Sequence, residues 1–145
     1  MKETICTIAG VIGGTLAMLL GGWDASIMTL LIFMGIDYVS GLVVAGVFHK
    51  SKKSENGALE SKAGWKGLAK KAMTLLFVLI AHQLDVVIGV AYIRDAVIIG
   101  FIANELISIV ENAGLMGVPL PGAVKKAIDI LTAKTEEHDG GAENQ

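Results

Sequence analysis

Three stretches of this chain are apolar for about the length of a bilayer crossing and yet carry ionisable or strongly polar residues in mid-span: Asp37 in one, His82 and Asp85 in the next, Asn104 and Glu105 in the last. A carboxylate at the centre of a membrane helix costs roughly 2.5–3.5 kcal/mol on insertion scales. Such groups must face other helices or water rather than lipid, which points to a bundle or an assembly. Composition agrees, since 53% hydrophobic residues and only two prolines in 145 positions exceed what a soluble domain of this size needs for its core. The expected fold is all-α: integral membrane helical hairpins, with four short transmembrane helices and a C-terminal amphipathic helix.

The spans fall at about 5–21, 26–48, 69–90 and 96–111, within a membrane domain covering 1–118. The first is the shortest, and Gly21-Gly22-Trp23-Asp24 after it makes a tight turn with Trp23 suited to an interface. Tyr92, Arg94 and Asp95 mark the turn between the third and fourth. Gly114 to Pro121 ends the last span, and Leu120, Val124, Ile128 and Leu131 then recur at helical spacing opposite Lys125, Lys126 and Asp129, giving an amphipathic cytoplasmic helix over 119–134. Residues 135–145 are acidic and polar and are expected to be disordered. Cys6 is the one cysteine, so no internal disulfide forms.

Orientation follows from charge. Seven of the twelve Lys and Arg residues lie between Lys50 and Lys71. Basic residues beside span ends stay on the cytoplasmic side, so Lys50, Lys52, Lys53, Lys66, Lys70 and Lys71 set the topology. With four spans both termini of this multi-pass protein are cytoplasmic. With three, the N-terminus is outside.

Helix faces identify the contacts. Thr29, Phe33, Asp37, Ser40, Gly41 and Ala45 share one side of the second span, and Gly10-x-x-x-Gly14 offers a small-residue surface on the first, where backbones can approach closely in lipid. His82 and Asp85, three apart, can hydrogen-bond in the third. In the fourth, Ala96, Gly100, Asn104, Ser108 and Asn112 form a row at steps of four. Candidate packing residues are therefore Gly10, Gly14, Ser40, Gly41, Ala45, Gly100 and Ser108. Candidate intramembrane polar residues are Asp37, His82, Asp85, Asn104 and Glu105. Their faces either assemble into something that admits water or only satisfy one another, and spacing leaves both open.

No nucleophile stands beside a base in a recognisable motif and no Walker-type phosphate loop is present, so no enzyme activity and no cofactor are expected. His82 and Asp85 without Cys or further His fall short of a metal site. The lysine-rich segment lacks interleaved aromatics and is accounted for as a topology signal, so nucleic acid is not expected as a partner.

Three segments carry a family likeness: Asp37-Tyr38-Val39-Ser40-Gly41, then Gly64-Trp65-Lys66-Gly67-Leu68-Ala69-Lys70-Lys71, then Asn104 through Gly114 with Gly117-Val118-Pro119-Leu120-Pro121 beyond it. In this order and spacing the chain resembles the toxin secretion/phage lysis holin family of Gram-positive bacteria and their phages. Ser40 stands where threonine is common, and the tail is acidic where a basic end is frequent. The resemblance implies a small protein that accumulates in the cytoplasmic membrane, forms homo-oligomers among membrane lipids, and at a set time opens lesions. An endolysin, or in some relatives a large toxin, leaves through them without necessarily touching the protein. A small ion- or proton-coupled exporter and a membrane-anchored assembly scaffold are the other classes that polar, small-residue faces suit.

Overall fold

Turn chemistry divides the chain into five helices, and the computed structural model describes residues 1–140 of them and their connections. In order they are α1 (Lys2–Leu19), α2 (Ala25–Gly46), α3 (Ser61–Ile88), α4 (Ile93–Leu115) and α5 (Gly122–Gly140). Asp24 caps α2, its carboxylate accepting a hydrogen bond from the Ile27 amide at 3.0 Å. Gly89 closes α3 in the left-handed conformation, φ 78°, which lets the amides of Gly89 and Val90 both reach the Asp85 carbonyl.

α3 is longer than its span at 69–90: the sequence lets Trp65 to Lys71 begin the helix as an amphipathic turn after a loop through Lys62, and the helix starts at Ser61. Lys, Ala and Leu are good helix formers, and they outweigh Gly64 and Gly67, which instead admit the Tyr38 ring from α2. Its 28 residues span about 42 Å against a hydrocarbon core of ~30 Å, an excess of about two turns. α5 runs on to Gly140, past residue 134, so the expected disorder does not hold for 135–140. Once a helix is nucleated each further residue adds a hydrogen bond, and Ala133, Lys134, Glu136 and Glu137 are compatible with it. Residues 141–145, the remainder of that expectation, lie outside the described residues.

α4 sits centrally and packs against α2, α3 and α5. α2 and α4 run in the same direction and α3 runs against them. Of the buried positions of α2, Ile27, Leu30, Met34 and Asp37 follow alternating three- and four-residue steps, and Val44 lies seven residues beyond Asp37. Val78, Ala81 and Asp85 do so on α3, and Ile98, Glu105 and Asn112 recur every seven residues on α4. A 3.5-residue average repeat keeps one narrow seam facing its neighbours along the whole helix. Leu20, Ile27, Leu30, Met34, Val78 and Ile98 form the apolar core, with Phe101 packed against it and tilted against Phe77 at 6.3 Å between ring centres.

α1 stands apart. None of its residues is buried, and space is open around Gly10 and Gly14, so their small-residue face has no partner among the described residues. Among the described residues three helices, α1, α2 and α3, are long and apolar enough to cross a membrane.

Candidate functional site

The apolar core lies between two polar layers. In the inner layer each of three helices contributes one charge. Lys71 Nζ of α3 donates to Asp37 Oδ2 of α2 at 2.7 Å and to Glu105 Oε2 of α4 at 2.8 Å. Asp37 is 4% exposed and Glu105 6%. Asn112, one heptad beyond Glu105, turns its Nδ2 to Asp37 Oδ1 at 3.2 Å and to Ser40 Oγ at 2.9 Å. The Ser40 hydroxyl in turn donates to the Asp37 carbonyl at 3.0 Å. With both carboxylates ionised the layer holds two negative charges against one positive, an imbalance that water or a further donor would relieve.

The outer layer is built around Arg94 at the start of α4. Its guanidinium donates to both Asp24 oxygens, at 2.7 and 3.3 Å, and to the carbonyls of Leu20 and Gly22, fastening the α1–α2 turn to α4. Only glycine fits at position 21: φ is +85°, and a Cβ there would lie 2.7 Å from Arg94 Nε and 2.8 Å from His82 Nδ1. Asp85 completes this layer from α3, accepting the Ile93 and Arg94 amides at 2.9 Å each, two of the donors that a helix N-terminus leaves without intrahelical partners. The Arg94 hydrogen bond is the main cause holding the Asp24 carboxyl below its ordinary value, opposed by burial and assisted by the Ile27 amide. Counted along the helices, the layers are about 17–21 Å apart, two-thirds of a hydrocarbon core.

The structure brings together Asp37, Glu105 and Ser40 of the candidates, and adds Lys71 and Asn112. Gly41 belongs to the same α2–α4 contact, where an added Cβ would lie 3.8 Å from Asn112 Nδ2, and Ala45 is buried one turn on. Ser108 and Gly100 are half-buried on α4. Asn104 is exposed, outside the cluster. The step-of-four row winds away from the seam, and the seven-residue spacing Ile98, Glu105, Asn112 is the one that stays inside. The expected His82–Asp85 hydrogen bond is replaced by the Asp85 cap, because the chain reverses at Gly89 and carries unbonded amides back to that carboxylate. Lys50, Lys52, Lys53, Lys66 and Lys70 are exposed as topology lysines would be, whereas Lys71 points inward. Its signal was available: Gly64, Lys71, Val78 and Asp85 recur every seven residues on one line of α3.

The sequence profile of the bacteriophage holin family matches residues 14–133. This chain belongs to that family. It is 42% identical over 132 residues to an uncharacterised protein of Listeria innocua, covering 88% of this chain and 89% of that one. An uncharacterised 14.9 kDa protein of Clostridium perfringens is 34% identical over 125 residues, 85% and 89% of the two chains. A protein named as a probable holin of Bacillus phage phi105 is 28% identical over 112 residues, 74% of this chain and 77% of that one. No solved structure matches. All of α2, α3 and α4, and therefore both polar layers, fall inside the family match.

Proposed function

We propose that this chain is a working phage-type holin: it accumulates in the bacterial cytoplasmic membrane, associates with copies of itself, and opens lesions through which an endolysin leaves. The observation that carries this reading is the Asp37–Lys71–Glu105 contact. Ionic groups from three neighbouring apolar helices are held against one another largely away from solvent, so in the closed bundle they serve as each other's partners. If the helices part, the charges need new partners or water, since lipid offers neither. A cluster of this kind favours two states, closed and dry or open and wet, over a continuous leak.

The topology follows the same logic. α4 carries Arg94, Asp95, Glu105 and Glu111, but Arg94 and Asp95 belong to one end and Lys71 partners Glu105. Running parallel to α2, with Asp24 beside Arg94 and Ser40 beside Asn112, it crosses the membrane as α2 does. Four crossings with both termini cytoplasmic then put the Arg94 layer at the outer boundary and the lysine-rich segment inside. The unpartnered Gly10 and Gly14 face of α1 is left for contacts between copies. The phage origin of the probable holin favours an endolysin as cargo.

Co-expression with a cytoplasmic endolysin tests the proposal. Endolysin activity should appear in the medium and the culture should lyse, whereas either protein alone leaves the wall intact. Endolysin that stays inside cells whose membranes hold abundant protein would refute it.

A further inference from the structure

The first turns of α3 carry a surface that neither polar layer uses. Lys62, Lys66 and Lys70 are all exposed and stand four residues apart, a single column about 12 Å long on the side away from the seam. Among the described residues none of them pairs with an acid. Beside the column Trp65 is 71% exposed, and Leu59 and Leu68 are open as well. Between these side chains and α2 lies a groove of 340 Å³, lined by Tyr38, Leu42, Leu59, Trp65 and Leu68 with Glu60 also on its wall. From Lys50 to Lys71 seven lysines face only two acids, Glu55 and Glu60.

A soluble acidic partner would use the lysines but leave Trp65, Leu59 and Leu68 in water. A phospholipid uses both. An acyl chain lies along Tyr38, Leu42 and Leu68, the indole sits at the headgroup level that tryptophan favours, and the phosphate meets the ammonium column. The net positive charge selects among headgroups, and Glu60 in the lining disfavours a bare anion inside the groove. We infer that this face binds an anionic phospholipid, with Lys62, Lys66 and Lys70 holding the headgroup and the Trp65 groove holding the chain. The inference rests on the proposed topology only for the leaflet concerned, the cytoplasmic one. There it would seat the base of α3, and so Lys71, at a fixed depth.

The test uses the full chain with Trp23→Phe, leaving Trp65 as the one tryptophan, in nanodiscs of phosphatidylcholine and phosphatidylglycerol in which one or the other lipid is brominated. At equal mole fraction, brominated phosphatidylglycerol should quench Trp65 several-fold more effectively. The preference should disappear in Lys62→Gln/Lys66→Gln/Lys70→Gln and fall in about 1 M salt, while Lys125→Gln/Lys126→Gln retains it. Circular dichroism checks that each variant keeps its helices. Equal quenching by both lipids, or a triple variant that keeps the preference, overturns the inference. Discs present the same lipids on both faces, so neither topology nor lesion formation affects the result.

Discussion

A lysine held between two carboxylates out of water responds unequally to the loss of different partners. Lys71→Met leaves Asp37 and Glu105 buried and unpaired, and should lower stability by about 3–5 kcal/mol, read from loss of helical signal during denaturation in detergent. Lys71→Met combined with Asp37→Asn and Glu105→Gln removes the charges together and should recover much of that loss. A triple variant as unstable as the single one would show that Lys71 acts through packing rather than charge. At the other layer, Asp24 is held below its ordinary value of 3.8 by Arg94. Its contribution is therefore complete above that value and is lost as pH falls through the lower value it has in the folded protein. Wild type should gain stability over Asp24→Asn as pH rises through this acid range, and parallel curves for the two would contradict the assignment. Asp37 and Glu105 were legible in the sequence because a carboxylate in an apolar run has few explanations. Lys71 was not, because it ends a row of topology lysines, and Arg94 was not, because turns routinely carry charge.

Element boundaries repeat this lesson. Gly21, Asp24, Gly89 and Pro121 marked the turns, and apolar runs marked α1, α2 and the membrane part of α3. The start of α3 was obscured by Gly64 and Gly67, whose purpose is to let Tyr38 approach and is visible only once α2 lies alongside. The seam of α4 was misjudged for a related reason: small and polar residues every four positions look like a contact, yet the neighbours lie along a seven-residue line. Crossing number is an element-scale question with a direct measurement. In a Cys6→Ser background, a cysteine at Ser26 should react with a membrane-impermeant reagent from outside, while cysteines at Thr4 and Ser51 should be protected. External labelling of Thr4 with Ser51 protected would leave three crossings and place α1 on the outer surface.

For the whole molecule, the two polar layers divide the work. Arg94 fastens the start of α4 to the start of α2, with Asp24 half-exposed, whereas the Lys71 layer ties the three helices together through more deeply buried carboxylates. On the proposed mechanism, opening requires the Lys71 layer to exchange partners or take in water, and association between copies would supply either. Glu105→Gln removes the surplus negative charge and leaves Asp37 and Lys71 as a balanced pair, so it favours the closed state. The most direct test follows membrane potential in single bacterial cells after induction of the wild-type chain and of Glu105→Gln at matched membrane abundance. Wild type should hold the potential and then lose it abruptly after a delay, and Glu105→Gln should collapse it just as abruptly but later. A potential that declines from the outset in proportion to protein amount, or a collapse time that Glu105→Gln leaves unchanged, would contradict the account.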